Sequence, residues 1–172
     1  YSVMAVKYDG TIYTPEQGLK GEALLEEGVK DTYNFGPILI KDGQAQPAWS
    51  ETAKYYPRTA VGMVKPGIYV LLVTDTGSYA GLNHWDLVNI FNSYGCQYAY
   101  NLDGGGSTAI SVWYPGQSAI SIKNIPSDGR PRSCATYLLL VADEKGDGVP
   151  PRLALKEEGQ TVLTGSEFTL PG

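Results

Sequence analysis

A chain of 172 residues, 42% hydrophobic and 18% charged, is long enough for one domain with a buried core and too apolar to be disordered throughout. Its formal net charge of −5 excludes a general affinity for nucleic acid or for an anionic membrane surface, so an anion it binds has to be captured locally. No apolar run approaches the roughly 18 residues that span a bilayer, and no basic-then-apolar leader stands in front. The opening residues Tyr1-Ser2-Val3-Met4 already read as strand, so we expect a processed or truncated piece whose localisation signal lies upstream.

Val3 to Tyr8 alternates apolar and polar, and Asp9-Gly10 turns it into Thr11-Ile12-Tyr13, a β-hairpin pattern. Thr14-Pro15 reads as a helix start, and Glu22 to Gly28 as a short helix closed by its glycine. A strand from Ile38 to Lys41 is entered through Gly36-Pro37 and ended by Asp42-Gly43. The polar, aromatic loop from Gln44 to Tyr56 contains Trp49. Arg58 stands before the strand Thr59–Met63, and Pro66-Gly67 leads into Ile68–Val73, the most continuously apolar segment and the expected central strand. Asp75 follows it.

The one convincing helix covers about residues 84–94, with Asn83 as N-cap, Asp86 near the positive end of the dipole, Leu87, Ile90, Phe91 and Tyr94 on one face, and Gly95 as stop. His84, the only histidine, is expected to be exposed in its first turn. Cys96 and Cys134 precede predicted strands and fit either one disulfide in an exported protein or two free thiols. Tyr98–Tyr100 and Ala109–Trp113 read as strands on either side of a glycine-rich stretch, then Tyr114–Gln117 turns into a strand at Ala119–Lys123. The loop Asn124–Arg132 carries two arginines, Arg130 and Arg132, ahead of an expected buried strand from Cys134 to Val141. Glu144 to Pro151 reads as a linker, and Arg152 to Gly172 keeps a weak strand pattern. With 13 tyrosines against 3 phenylalanines, the expected class is α+β: a mixed, largely antiparallel sheet core with one main helix and short ones.

Chemistry concentrates in Asn101-Leu102-Asp103-Gly104-Gly105-Gly106-Ser107-Thr108. Three consecutive glycines lose much backbone entropy on ordering and are tolerated where positive φ or close approach is needed. Their amides can converge into an anion-binding nest, although the same pattern also suits a plain hairpin with Asp103 bonding its own turn. Arginine forks and backbone amides together hold phosphate well.

Asn101 to Ser107, preceded by a helix ending at Gly95, resembles the signature of the phosphodiester glycosidase family. Asn34-Phe35-Gly36-Pro37 with the strand ending at Gly43, Arg58-Thr59-Ala60-Val61-Gly62, and Asn124-x-Pro126 followed by Arg132 resemble that family's other blocks in the same order. The resemblance covers roughly Tyr33 to Val141 and implies a family-like domain over residues 1–143, corresponding to the C-terminal part of the family domain. A linker and tail over 144–172 would follow, as the start of another module or a docked tail. The family's usual upstream segment, including an Asn-rich strand block, has no counterpart here, and we expect association with such a segment.

The resemblance implies hydrolysis of a sugar-1-phosphodiester of the N-acetylglucosamine-1-phosphate type, in the extracellular space or cell envelope. Gly104, Gly105, Gly106, Ser107 and Thr108, with Arg58, Asn124 and Arg132, would hold the phosphate. Asp103 would act at the anomeric carbon as nucleophile or as base for water, with Asp75 as its partner, and Trp49 and Tyr56 would stack on a sugar face. No ligand spacing argues for a metal, while Asp103 and Asp75 would offer oxygen ligands to calcium or magnesium. Two other readings share these residues: a phosphodiesterase that breaks the P–O bond, and a non-catalytic module that binds envelope sugar-phosphate polymers.

Overall fold

The computed structural model describes residues 2–46, 54–75, 81–113, 118–134 and 136–140, with the backbone alone for 154–158 and 162–169. Trp49, the 114–117 turn and the 144–151 linker lie outside the described residues.

Two sheets form. Strands β1 (Val3–Lys7), β2 (Ile12–Tyr13) and β3 (Val29–Asn34) make a small antiparallel sheet in the order β2-β1-β3. A seven-stranded sheet contains β4 (Ile38–Lys41), β5 (Gln44–Ala45), β6 (Thr59–Lys65), β7 (Ile68–Val73) and β8 (Tyr98–Leu102). A short hairpin of β9 (Ser111–Val112) and β10 (Ser121–Ile122) stands apart, and β11 (Ala154–Glu158) and β12 (Val162–Thr169) complete the large sheet. The order there is β11-β12-β7-β6-β8-β4-β5, with antiparallel neighbours throughout. The helices are α1 (Gly21–Glu26) and α2 (His84–Ser93), so the fold is α+β and dominated by antiparallel sheet.

Period-two alternation explains why the large sheet is covered on both faces. From β6 and β7, Ala60, Val70 and Leu72 face one way and meet Leu87, Val88 and Phe91 of α2. Val61, Met63 and Tyr69 face the other way with Tyr98 and Tyr100 of β8, and meet Met4 and Ile12 of the small sheet. Each fully buried Leu, Val or Phe on α2 contributes roughly 1.5–3 kcal/mol relative to exposure. The helix starts where Asn83 Oδ1 accepts the Asp86 amide at 2.9 Å while Asp86 Oδ2 accepts the Asn83 amide at 3.1 Å. It lies so close to β6 that a Cβ on Gly62 would stand 2.6 Å from Phe91 Cδ1. Glycine is required there by contact rather than by φ.

Several expectations are corrected. Thr14 caps no helix; its hydroxyl pairs with the Tyr98 hydroxyl at 2.6 Å, and α1 begins only at Gly21. His84 is buried, because positions 84, 87, 88 and 91 share the core stripe of α2. The strand expected at Ala109–Trp113 shortens to the two residues of β9. Residues 136–140 form no strand: Leu138 and Leu140 lean on the core, while Tyr137 and Leu139 are 65% and 77% exposed. Cys96 and Cys134 are free thiols, the first buried and the second partly so. No described helix is long and apolar enough to cross a membrane.

Candidate active site

Antiparallel pairing gathers the predicted residues at one end of the large sheet. Thr59 at the start of β6 is in register with Val73 at the end of β7 and with Leu102 at the end of β8. Arg58, Asp75 and Asp103 therefore leave three adjacent strands at the same edge. The Tyr56-Pro57-Arg58 segment that enters β6 is held from two sides. Tyr56 and Leu82 exchange backbone hydrogen bonds at 3.3 and 3.0 Å, with Gly81 packed on the Tyr56 carbonyl. On the other side Gly105 donates to the Pro57 carbonyl at 2.9 Å, and a Cβ on Gly104 would lie 2.5 Å from that same oxygen.

The glycine stretch is consequently a tight turn pressed against residues 57–58. Gly105 has φ +61°, and residues 105–107 form a single 3-10 turn. The Ser107 and Thr108 amides donate to the Gly104 and Gly105 carbonyls, both at 3.1 Å, and the Gly104 amide donates to Asp103 Oδ1 at 2.9 Å. Of the five amides from Gly104 to Thr108, only that of Gly106 has no acceptor among the described residues. The expected open nest is thus largely closed on itself, because the turn uses its own donors to lie down on β6. Asp103 is exposed, with Oδ1 held by the Gly104 amide and no donor to Oδ2 among the described residues.

Around this turn the other residues divide into scaffold and open chemistry. Arg58 is only 8% exposed; its Nε donates to the Leu82 carbonyl at 3.1 Å, one Nη to the Lys54 carbonyl at 3.0 Å, and its guanidinium lies 5.2 Å over the Tyr56 ring. Its side chain ties the backbone carbonyls of Lys54 and Leu82 together. Asn124 is buried and bonded on both amide atoms: Oδ1 accepts from Ile110 N at 2.8 Å, and Nδ2 donates to Asp75 Oδ1 and to the Thr108 carbonyl, both at 3.0 Å. Asp75 also accepts the Ile125 amide, at 3.0 Å to each carboxylate oxygen. Asp75, Asn124 and Thr108 therefore tie the 108–110 and 124–125 loops together. Thr108 itself is fully buried.

Arg132 is different. Its backbone amide donates to the Gly106 carbonyl at 3.2 Å, and its Nε donates to Asp128 Oδ2 at 2.7 Å. A Cβ on Gly106 would strike Asp128 Oδ2 and lie 2.6 Å from Arg132 Nε, so this ion pair sits directly on the glycine turn. The hydrogen bond from Arg132 holds the Asp128 carboxyl below the usual carboxylate range, and the same bond with the Asp128 charge, helped by Asp103, raises the arginine. Residues Asp128 and Arg130 to Ser133 line an open cleft of about 380 Å³. Among the described residues no three His, Cys, Asp or Glu side chains converge as a metal-ligand group.

Sequence reasoning missed Asp128 and the hub role of Asn101. The Asp128-x-x-x-Arg132 spacing was visible, but nothing in the sequence placed that loop over Gly106. Asn101 is buried and binds the 36–37 turn, its Nδ2 donating to the Gly36 carbonyl at 2.8 Å and its amide to the Pro37 carbonyl at 3.0 Å.

Residues 1–141 match the sequence model of the phosphodiester glycosidase family. The chain belongs to that family. The match reaches the small sheet of β1 to β3, upstream of the blocks from Tyr33 onward that carry the resemblance. This phosphodiester glycosidase family member is 29% identical over 163 residues to the SPbeta prophage-derived uncharacterized protein YomE of Bacillus subtilis (strain 168). The alignment covers 91% of the chain and 24% of that protein, so the chain spans about a quarter of the relative's length. A crystal structure of a hypothetical protein from Synechocystis is similar at a TM-score of 0.47 and 15% identity, over 75% of this chain and 32% of that one.

Proposed function

We propose that the chain is a hydrolase acting on a sugar-1-phosphodiester of the N-acetylglucosamine-1-phosphate type, releasing free sugar and a phosphomonoester. Family membership supports the reaction class, and one observation carries the assignment of residues: the Arg132 guanidinium lies on the glycine turn at Gly106, and the exposed Asp103 carboxylate stands at the start of that turn, near enough to act on the arginine's charge. In this reading Arg132 and the Gly106 amide hold the phosphate, and Asp103 acts at the anomeric carbon. Either its Oδ2 attacks C1 and water later displaces it, or it takes a proton from water that attacks C1 directly. In both routes the C1–O bond breaks and its electron pair leaves with the phosphate oxygen. A phosphomonoester is a weakly basic leaving group, so anion stabilisation replaces the protonating acid of an ordinary glycosidase.

Arg58, Asp75, Asn124 and Thr108 enter this proposal as the frame that fixes Asp103 and Arg132, and Tyr56 as a ring at the rim. A prophage-derived relative suits an enzyme that meets sugar-phosphate polymers in the extracellular space or cell envelope. The test is hydrolysis of an N-acetylglucosamine-1-phosphodiester in oxygen-18 water. Label in the released sugar is the expected result, with turnover abolished in a folded Asp103→Asn variant. Label in the phosphate would move the attack to phosphorus. Saturable binding without turnover would favour a module that recognises such polymers.

A further inference from the structure

We infer that Asp128 is a positioning residue that aims Arg132 at the phosphate. This rests on the reading that the phosphate is bound at the glycine turn. Asp128 engages Arg132 through Nε alone, at 2.7 Å. Arg132 Nη1 and Nη2 have no acceptor among the described residues. A guanidinium held by its Nε edge presents the two Nη donors as a fork, the geometry that meets two oxygens of one phosphate.

The remaining contacts fix where that fork stands. The Arg132 amide is anchored to the Gly106 carbonyl at 3.2 Å, and the missing Cβ of Gly106 leaves the space that the Asp128–Arg132 pair occupies. Asp103 lies close enough to act on the Arg132 charge. Ser127 adds a second constraint by donating its hydroxyl to Asp128 Oδ1 at 3.2 Å, leaving Oδ2 for the arginine. The Arg132 and Asp128 side chains are 56% and 41% exposed, so without its partner the arginine would be a long, solvated chain free to adopt many rotamers. The glycine run thus has two separate uses: Gly104 brings the turn down on β6, and Gly106 gives the ion pair a seat.

The proposal predicts a sign. A carboxylate next to an anion site repels phosphate, so if Asp128 contributed only charge, Asp128→Asn would tighten phosphate binding. Positioning predicts that Asp128→Asn weakens it, by about tenfold. The full chain is titrated with inorganic phosphate while the Arg132 side-chain Nε–H resonance is followed by NMR, assigned by its loss in Arg132→Lys.

The expected results are a phosphate-dependent shift of that resonance in wild type, weaker binding in Asp128→Asn, and recovery in Asp128→Glu. With phosphate affinity read by titration calorimetry where that resonance is absent, combining Asp128→Asn with Arg132→Lys should bind no more weakly than Arg132→Lys alone, because the two residues act as one device. Equal or tighter binding by Asp128→Asn overturns the inference, as does a wild-type resonance that phosphate leaves unmoved. Phosphate binding through Arg132 without hydrolysis of any sugar phosphodiester would sink the glycosidase reading and leave the role of Asp128 standing.

Discussion

Asn124 Nδ2 donates to Asp75 Oδ1 at 3.0 Å, joining the loop after β10 to the segment that leaves β7. Asp75 is the only acceptor among the described residues for the Ile125 amide, and it shares the buried Asn124 amide with the Thr108 carbonyl. Asp75→Ala takes an acceptor from both donors; water can replace it at the exposed Ile125 amide but not at the buried Asn124 amide, a loss of about 1 kcal/mol. In a domain of this size that lowers the melting temperature by several degrees, roughly 2–4 °C per kcal/mol. Thermal unfolding followed by circular dichroism should show the drop, with turnover falling alongside. Loss of turnover by Asp75→Asn at an unchanged melting temperature would instead put Asp75 in contact with the substrate.

Gly104 and Gly106 respond oppositely to the same substitution. At Gly104 the backbone is extended, with φ −124°, and any residue could adopt it; the obstacle is the Pro57 carbonyl 2.5 Å from the added Cβ. A backbone atom on β6's entry cannot swing aside, so Gly104→Ala should lose about 1–3 kcal/mol of stability. At Gly106 the Cβ meets the ends of two partly exposed side chains, which can move. Gly106→Ala should therefore stay within about 0.5 kcal/mol of wild type in stability. It should lose phosphate affinity because Arg132 has been displaced. Denaturant midpoints and phosphate titration on the two variants separate these effects.

Gly62 carries the packing of α2 onto the sheet. An added methyl would stand 2.6 Å from Phe91 Cδ1 and 2.8 Å from Cys96 Sγ, both in a closed core. Gly62→Ala is expected to lower stability by about 1–3 kcal/mol, read as a shift in denaturant midpoint at constant slope. Shortening Phe91 to Leu in the same chain should recover part of the loss. A wild-type midpoint in Gly62→Ala alone would mean that α2 is not seated as closely as described.

The elements legible in the sequence were those with one dominant physical signal. Ile68–Val73 is continuously apolar because it is buried on both faces, and Asn83 with Asp86 wrote the start of α2. β3 was missed because Lys30, Asp31 and Thr32 are all exposed, so its burial has no period of two, and its place depends on pairing with β1. The Cys134–Val141 segment misled for the opposite reason: its composition suits a buried strand, yet only Leu138 and Leu140 reach the core. At the site, Asp103 and the glycines announced themselves. The closing of their amides did not, since the acceptor for Gly105 is the Pro57 carbonyl on a distant strand entry. Nor did the division between a buried Arg58, bound to carbonyls, and an open Arg132, because local sequence gives both arginines a similar setting.

Cys96 and Cys134 offer a check on the packing that is independent of the reaction. Cys96 lies beneath α2, where burial pushes its thiol up to about 12. A raised pKa means the neutral thiol is favoured in the folded state, so its contribution to stability is present at neutral pH and declines as the pH rises from the ordinary thiol value of 9.0 toward 12. The thiolate is the reactive species, and access is also blocked. Cys134 is only partly buried, with its thiol against the Arg132 carbonyl at 3.5 Å. Alkylation of the native chain at pH 8 should therefore modify Cys134 alone, and peptide mass spectrometry should find Cys96 labelled only after denaturant is added. Early labelling of Cys96 would show that the helix lifts from Gly62 in the native state. An intact disulfide in the non-reduced digest would mean that Cys96, just before β8, and Cys134, in the coil after Arg132, come together, against their state as free thiols in this fold.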